Sequence, residues 1–402
     1  MAEISLSISE ENLPTNPDGE DPTPELLNQK TTTVQLSSIN SHLSNLPDLP
    51  KSHPDLYADL LLDGEITDSP LLPRTFLITP SALSPSSRLT YFEYLSLQIL
   101  HHHTSSLPPS TPLSAEYWFQ IRPSSPSTSR QPQTPTKLSK NGITFHYDKD
   151  ESLHNSTGVH IFPHISTVTY LTGQGGPTMV VGNVLKGLGG LGGEGGGGGG
   201  KDLEVIFPET FKHMSFDGRK LHGGDPRLGT WNVSDDEIER GYGLRGKERF
   251  KDWFKNNVRV TFLVNVWVYH RPNEVERMDE FYRGKMTPVE KVLGGELGDF
   301  RWEDHFPSFF GKERKEEKEE GIENGVIAET VVKKDEADLI TFEYELGKTG
   351  GMDERYEGAF PIGRIRENAK EGKDSKVVWE DGDMSKIVVE KSAKRRKTEE
   401  EK

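Results

Sequence analysis

The sequence contains no cysteine in its 402 residues. Disulfide bonds and thiolate metal ligands are therefore excluded, so a metal site in this chain would need histidine or carboxylate ligands. No apolar run is long enough to cross a bilayer, and the first thirty residues are acidic without an apolar stretch, unlike a signal peptide. These absences predict a soluble protein of the cytoplasm, the nucleus or both, without a membrane partner.

Positive charge is scarce relative to negative charge. Lys and Arg number 48 against 64 Asp and Glu, which gives a formal net charge of −16. This balance argues against general nucleic-acid binding, because a phosphate backbone selects clusters of Lys and Arg. The one dense basic cluster, residues 394–397, is interpreted either as a nuclear import signal or as a charged segment without that role.

Hydrophobic residues make up only 32% of the chain, so we expect a folded core flanked by disordered segments. The predicted organisation is a disordered arm (1–50), a helical flanking segment (51–114), a mainly β core (115–272), a C-terminal extension (273–310) and a charged, largely disordered tail (311–402). Alternating apolar residues around 340–346 and 387–389 favour late strands within that tail. In the flanking segment, Ser84 and Pro85 suit the start of a helix that runs to about residue 99.

Eight short β-like runs, separated by turn-forming residues, follow residue 115. They cover residues 116–121, 142–147, 166–172, 177–181, 203–207, 213–216, 220–222 and 259–269. Eight strands in this order suit a double-sheet jelly roll, so the predicted fold class is mainly β with flanking helices. The glycine tract at 187–200 interrupts the runs and is expected to be a mobile surface linker.

The run Phe145-His146-Tyr147-Asp148 supplies the first candidate metal ligands. Residues two apart on a strand project to the same face, so His146 and Asp148 present an imidazole and a carboxylate together. His222, at the end of another predicted strand, would complete one triangular face of an octahedron. Two histidines and one carboxylate suit iron(II) and leave the opposite face open. Taken alone, a His-x-Asp pattern favours a surface histidine beside a turn-forming aspartate, and only further motifs change that interpretation.

Further motifs occur in order after His146. They are Tyr170-Leu171, Gly175-Gly176-Pro177-Thr178, His222-Gly223 and an arginine that opens the last apolar strand. With these motifs the chain resembles the iron(II)/2-oxoglutarate-dependent dioxygenase superfamily, and locally its prolyl-hydroxylase-like branch, over roughly residues 115–272. The resemblance implies a double-stranded β-helix (jelly roll), with His146, Asp148 and His222 as metal ligands and catalytic centre.

The resemblance also implies a reaction and its cofactors. The expected activity is hydroxylation of a protein side chain, with prolyl residues among the candidates, or of a small molecule. Iron(II) and the co-substrate 2-oxoglutarate would be required, succinate and CO2 would be co-products, and ascorbate is a candidate accessory reductant. A non-catalytic metal-binding jelly-roll module remains an alternative, as does a cupin-like site that uses another metal without 2-oxoglutarate.

The resemblance further assigns residues to 2-oxoglutarate. Arg259 would pair with the distal carboxylate, because a planar guanidinium can form two parallel hydrogen bonds with it. Thr261 would add a hydroxyl to the same carboxylate. Tyr170 matches a position where some family members place a tyrosine hydroxyl on the co-substrate, although an ordinary strand aromatic explains it equally well. Residues 225–257 separate His222 from Arg259, so either this segment is an inserted lid or Arg227 is the anchor instead.

Other candidates compete for roles at this site. His213 lies on a neighbouring segment and is a rival of His222. His160 and His164 are expected either to be loop residues or to lie around the metal ligands without binding the metal. The aromatic residues Trp231, Trp253 and Phe254 of the inserted segment would either close over the site or bury a small core of their own.

Overall fold

The computed structural model describes residues 31–39, 43, 46–67, 70–84, 87–123, 142–182, 202–225, 228, 240–244, 248–294 and 301–312, and parts of 328–391 that include five strands. Several predictions fall outside the described residues: those for the glycine tract, for the basic cluster at 394–397, and for Arg227 and Trp231.

The described strands are β1 Thr32–Gln35, β2 Phe76–Ile78, β3 Leu113–Pro123, β4 Ile143–His146, β5 Ile165–Tyr170, β6 Thr178–Val181, β7 Asp202–Ile206, β8 Lys212–Asp217, β9 His222–Gly224, β10 Val258–Val268, β11 Ala328–Val332, β12 Leu339–Thr349, β13 Met352–Pro361, β14 Ser375–Trp379 and β15 Lys386–Lys391. The described helices are α1 Leu49–Ser52, α2 Pro54–Thr67, α3 Tyr91–Thr104, α4 Glu151–Thr157, α5 Glu248–Asn257, α6 Glu280–Arg283, α7 Val289–Leu293 and α8 Trp302–His305. None of these helices is both long and apolar enough to cross a membrane.

Two six-stranded sheets form the body of the fold. The first has the order β1-β8-β5-β10-β3-β2, and the second has the order β11-β14-β7-β6-β9-β4. Neighbouring strands in both sheets are antiparallel, except for the parallel pair of β11 and β14. The predicted mainly β architecture with helices is confirmed, and the eight predicted runs correspond to β3 through β10. A separate three-stranded sheet has the order β12-β13-β15.

The two large sheets share an apolar interior. Val168 and Leu263 of the first sheet pack in one cluster with Val180 of the second sheet, and all three are buried. Alternate residues of a strand project to the same face, so Arg259 and Asn265 lie on the same face of β10 as Leu263. The candidate site is built on these interior faces.

Helices cover the other face of the first sheet. The ring of Phe92 on α3 lies 4.6 Å from that of Phe119 and 4.9 Å from that of Phe262, measured between centroids. Buried side chains of α2 join the same cluster, which is the larger of the two apolar clusters described. Aromatic side chains thus attach the helical layer to strands β3 and β10.

The start of α3 differs from the prediction. The helix begins at Tyr91, and the side chain of Thr90 accepts a hydrogen bond from the amide of Glu93. The Glu93 carboxylate in turn accepts from the amide of Thr90, so the two residues form a complete capping box. The predicted start at Ser84 is wrong, because this reciprocal cap satisfies the free amides of the first turn at a later position.

Part of the expected disordered arm belongs to the fold. Residues 32–35 form β1 and pair with β8 at the edge of the first sheet. Leu36 and Leu46 are buried beyond this strand and join the large apolar cluster. The prediction of disorder over 1–50 is therefore wrong for these residues. A few apolar side chains, each inserted into an existing core, are sufficient to order a segment whose composition is otherwise polar.

The late strands include two that the alternating residues predict. Residues 340–346 lie in β12 and residues 387–389 lie in β15. Another late strand, β14, pairs with β7 and so extends the second sheet. Asp374, just before β14, accepts hydrogen bonds from the Nζ of Lys212 at 2.6 Å and from the amide of Phe207 at 3.0 Å. This ion pair, shielded from water, attaches the late strand to the core.

Candidate metal centre

Strand pairing brings the three predicted ligands together. His146 is the last residue of β4 and pairs directly with His222, the first residue of β9. Asp148 follows His146 by two residues and is nearly buried. One ligand atom from each of the three side chains lies within 4.8 Å of those of the other two. Among the described residues, no other group of three or more His, Asp or Glu side chains has a spacing that could hold a metal ion.

Both imidazoles are oriented by their own strands. The Nδ1 of His146 lies 2.7 Å from the carbonyl oxygen of Thr144, and the Nδ1 of His222 lies 3.1 Å from that of Lys220. A carbonyl accepts only, so each Nδ1 carries a proton, and in the neutral form of each ring the lone pair is on Nε2. The two Nε2 atoms lie 3.7 Å and 3.6 Å from the carboxylate oxygens of Asp148. This is the tautomer that a metal ligand requires.

The surroundings of His222 favour its neutral form. Burial lowers its pKa to about 4, although the negative charge of Asp148 acts in the opposite direction. The imidazole is therefore uncharged near neutral pH and can donate its lone pair to a cation. The ring of Phe216 packs against it, with the centroids 4.8 Å apart, and limits its rotation.

The carboxylate of Asp148 has one further partner. Ser166, on β5, donates a hydrogen bond from its hydroxyl to Oδ2 at 2.8 Å. Ser166 carries no signal in the sequence, because a serine near the start of a strand has no spacing that marks it as a partner of a metal ligand. Only the pairing of the folded sheets brings it to the aspartate.

Arg259 is a buried cation with few partners. Its side chain is on the interior face of β10, and the residue is 3% exposed. Its Nη2 donates to the Oγ1 of Thr178 at 3.3 Å, whereas Nε and Nη1 have no hydrogen-bond partner in the part of the chain that the structure describes. Burial lowers the pKa of Arg259 from its usual range. A buried guanidinium without a counter-charge is costly, and an anionic ligand would remove that cost.

The other two residues assigned to 2-oxoglutarate lie beside Arg259. Tyr170 lies directly opposite Thr261 on the paired strands β5 and β10. The hydroxyl of Tyr170 lies 2.7 Å from the Oγ1 of Thr178 and 2.9 Å from the carbonyl oxygen of Ile206, so the protein already occupies it. The hydroxyl of Thr261 lies 3.4 Å from the carbonyl oxygen of Gln120.

Gly175 provides the space for the arginine. This residue has φ +101°, a backbone conformation that favours glycine. A Cβ at Gly175 would lie 2.6 Å from the Cδ of Arg259 and 2.8 Å from its Cβ. The motif Gly175-Gly176-Pro177-Thr178 thus supplies both the surface against which the arginine packs and, at Thr178, a hydrogen-bond acceptor for it.

The rival residues are placed elsewhere. His213 is buried on β8, where its Nδ1 lies 2.8 Å from the Oγ1 of Thr169, and its ring lies 5.8 Å from that of His103 on α3. It is not part of the three-residue group. His160 instead neighbours His154, with ring centroids 4.1 Å apart. His164 donates its backbone amide to the carbonyl oxygen of Val266 at 2.8 Å, and its side chain is likewise outside the group.

The aromatic residues of the inserted segment pack into the helical layer. Phe254 on α5 is buried in the large apolar cluster, and Trp253 packs against that cluster. The ring of Trp253 lies 5.0 Å from that of Tyr242. Trp253 and Phe254 therefore neither close over the site nor form a separate small core, because they join the large apolar cluster of the helical layer.

No protein-family model matches the sequence, and no curated protein matches it. Solved structures similar to the chain include a 2-oxoglutarate–Fe(II) oxygenase family oxidoreductase from Burkholderia pseudomallei, at 10% identity and a TM-score of 0.20, with 42% of this chain and 51% of that one covered. The chain therefore spans about half the length of that protein. A Pseudomonas putida prolyl-4-hydroxylase is 13% identical, with a TM-score of 0.26 and coverage of 58% and 93%.

A third structure, HygX from Streptomyces hygroscopicus with nickel and 2-oxoglutarate bound, is 13% identical, with a TM-score of 0.26 and coverage of 67% and 98%. At such low TM-scores the likeness does not assign a function, so the functional conclusion depends on the residues of this chain.

Proposed function

We propose that the protein is an iron(II)- and 2-oxoglutarate-dependent dioxygenase. The observation that carries the proposal is one interior that holds both a two-histidine, one-carboxylate group and a buried arginine whose Nε and Nη1 have no hydrogen-bond partner among the described residues. The donor set suits iron(II), because imidazole and carboxylate ligands on one face leave the other positions open. An iron(II) ion at this site would supply the redox chemistry that couples decarboxylation of 2-oxoglutarate to hydroxylation of a substrate.

In this proposal the side chains have separate tasks. His146, Asp148 and His222 hold the metal, and both histidines are already in the required tautomer. Arg259 binds the distal carboxylate of 2-oxoglutarate through the N–H groups that lack partners in the described residues. The interior excludes water, which strengthens this charge–charge interaction.

Thr261 and Tyr170 are proposed to line the end of the pocket for the co-substrate. Because the protein already engages the hydroxyl of Tyr170, its contribution is the ring that lies beside the guanidinium. Within the same proposal, the two large sheets form a double-stranded β-helix whose core corresponds to residues 115–272. The shared interior cluster and the antiparallel strand order support this assignment.

The substrate is proposed to be a protein side chain, with prolyl residues among the candidates, or a small molecule. The described residues do not select between these classes, because related sites accept chemically diverse substrates. Measuring succinate release with pools of peptides and of metabolites, in the presence of ascorbate, would separate them.

The reaction class can be tested without a known substrate. Anaerobic addition of iron(II) and 2-oxoglutarate should produce a visible charge-transfer band, which should be absent from the Asp148→Ala variant. A metal-dependent band without any effect of 2-oxoglutarate would favour a cupin-like site. Metal binding without oxygen-dependent succinate formation, across all pools, would favour the non-catalytic module.

A further inference from the structure

Three polar residues on neighbouring strands form a row that contacts Asp148 through Ser166. They have no role in the proposed reaction. Ser166, Asn265 and Glu116 stand directly opposite one another on β5, β10 and β3. All three are buried, at 1%, 3% and 8% exposure. Strand alternation places Asn265 on the same face as Leu263, which is in the interior cluster. Buried polar side chains are costly unless they are paired, so a row of three on one interior face needs an explanation.

Ser166 acts directly on the metal carboxylate. Its hydroxyl donates to Oδ2 of Asp148 at 2.8 Å, whereas Oδ1 lies 3.7 Å from the Nε2 of His146. The hydrogen bond to Oδ2 restricts rotation of the Asp148 carboxylate. Oδ1 then stays directed at His146. Partners of this kind, which orient a ligand without touching the metal, change metal affinity by about 10–100-fold.

Glu116 is a second buried carboxylate near the same centre. The Nε1 of Trp267 donates to its Oε2 at 3.1 Å, and the side chains of Thr75 and Asn265 also hydrogen-bond to it. Burial raises the pKa of Glu116 to about 7, and the negative charge of Asp148 adds to the increase. The negative charges of the two carboxylates therefore repel each other across the interior. A divalent cation bound by the three ligands would attract both of them.

Asn265 separates these two acidic groups. Its side chain hydrogen-bonds to Glu116 on one side, and on the other side it faces the strand position of Ser166. The neutral amide therefore holds Glu116 in place without adding a charge of its own. A charged residue at this position would change the potential at Asp148.

We propose that Ser166, Asn265 and Glu116 form a positioning row that orients Asp148 and adds negative potential to the metal centre. Ser166 acts through its hydrogen bond to Asp148, and Glu116 acts through its negative charge. Asn265 holds the side chain of Glu116 in position through a hydrogen bond. The row strengthens the hold on a divalent cation beyond what the three ligands provide. This inference rests on the proposed metal site.

The test measures Ni²⁺ binding to the full chain by calorimetry near pH 8, above the pKa of about 7 of Glu116, so that this carboxyl is mostly ionised. Ser166→Ala and Glu116→Gln are each expected to weaken Ni²⁺ binding by about tenfold. The matched control is Glu93→Gln, which neutralises another fully buried carboxylate, one that contacts Arg277, Arg283 and the amide of Thr90. Because Glu93 lies on α3 in the helical layer, this variant should keep the wild-type Kd for Ni²⁺ even if its stability falls.

A second variant separates charge from shape. Glu116→Asp keeps the charge and shortens the side chain, so its Ni²⁺ affinity should lie close to that of the wild type if the charge matters. Equal losses in Glu116→Asp and Glu116→Gln would overturn the role of the charge. The visible spectrum of bound Co²⁺ reports ligand geometry, and it should change in Ser166→Ala but not in Glu93→Gln.

The outcomes distinguish this inference from the function on which it rests. A wild-type chain that binds no Ni²⁺ rejects the proposed metal site itself. Tight binding by the wild type, with unchanged Kd values in folded Ser166→Ala and Glu116→Gln, rejects only the positioning row. If Glu116→Gln does not fold, Ser166→Ala decides whether the positioning row holds.

Discussion

The guanidinium of Arg259 lies over the ring of Tyr170, with its central carbon 5.5 Å from the ring centroid. An aromatic face stabilises a cation that stacks near it and keeps a planar group in one orientation. Tyr170 is itself fixed by Thr178, which also accepts the hydrogen bond of Arg259. The buried cation therefore has a defined direction before any anion binds.

Arg259→Lys tests whether this fixed direction matters. Lysine keeps the positive charge but cannot form two parallel hydrogen bonds with a carboxylate. We expect 2-oxoglutarate to bind the Ni²⁺-loaded variant about tenfold more weakly or worse, with the Kd for Ni²⁺ unchanged. Titration of 2-oxoglutarate by calorimetry measures this, and an unaltered affinity would remove Arg259 from the co-substrate site.

Gly175→Ala should damage the same site through the backbone. The added Cβ would meet the Cδ of Arg259 at 2.6 Å, at a position whose φ is +101°. We expect a loss of about 1–3 kcal/mol in the free energy of unfolding and a weaker affinity for 2-oxoglutarate. The matched control is Gly158→Ala, because Gly158 also has a positive φ, of +76°, but nothing lies within 4 Å of the added atom. It should lose stability alone. An equal loss of 2-oxoglutarate affinity in both variants would contradict the packing argument.

His222→Ala and His213→Ala should separate the two rival histidines. His222 pairs with His146 in the metal centre, whereas His213 bonds to Thr169 outside that centre. A bound metal stabilises the folded state by about 2.7 kcal/mol at one hundred times its Kd. We expect Ni²⁺ to raise the Tm of the wild type and of His213→Ala but not that of His222→Ala. Loss of the shift in His213→Ala, but not in His222→Ala, would reverse the assignment.

Asp63 should make stability depend on pH. Burial raises the pKa of Asp63 to about 7, above its ordinary value of 3.8. Between these two values the folded state binds a proton that the unfolded state does not, so stability falls as the pH rises from about 4 to about 7. Above about pH 7 the contribution of protonated Asp63 to stability is lost completely. Asp63→Asn should remove most of this dependence and be more stable than the wild type, by up to a few kcal/mol, near pH 8.

Urea unfolding near pH 4.5 and near pH 8 measures this effect. Asp59→Asn, on the same helix, is the control with the opposite sign. Burial opposes ionisation of Asp59, but the hydrogen bonds and charges of Lys251 and Lys291 outweigh it and lower its pKa. Asp59→Asn should therefore lose stability near pH 8, by less than about 1 kcal/mol for such partly exposed pairs. A pH dependence in Asp63→Asn as steep as that of the wild type would refute the assignment to Asp63.

Local spacing predicted the strands of the core and the candidate ligands on them. His146 and Asp148 are two residues apart, which predicts a common face if the strand continues, whereas β4 ends at His146 and Asp148 lies just after it. The approach of His222 could be proposed only through the order of the motifs, because it depends on the pairing of β4 with β9. The predicted start of α3 at Ser84 is wrong, because the sequence offers two N-terminal capping signals close together. Ser84 begins one, and Thr90 with Glu93 forms the complete capping box that the helix uses.

The positioning row could not be predicted in the same way. Ser166, Asn265 and Glu116 come from three strands that are distant in sequence, and they meet only through the register of β5, β10 and β3. A strand shifted by one residue would turn its member of the row to the opposite face. Register is a property of the assembled sheet, so the composition of each strand does not reveal it.

The attachment of β14 has a consequence for any shortened form of the chain. Removing residues from 374 onward would remove Asp374, the ion-pair partner of Lys212. It would also turn β7 into an edge strand whose outer backbone groups are unpaired. Unpaired margins recruit strands from other molecules, so self-association would be the expected failure of such a truncation even if the metal ligands stayed in place.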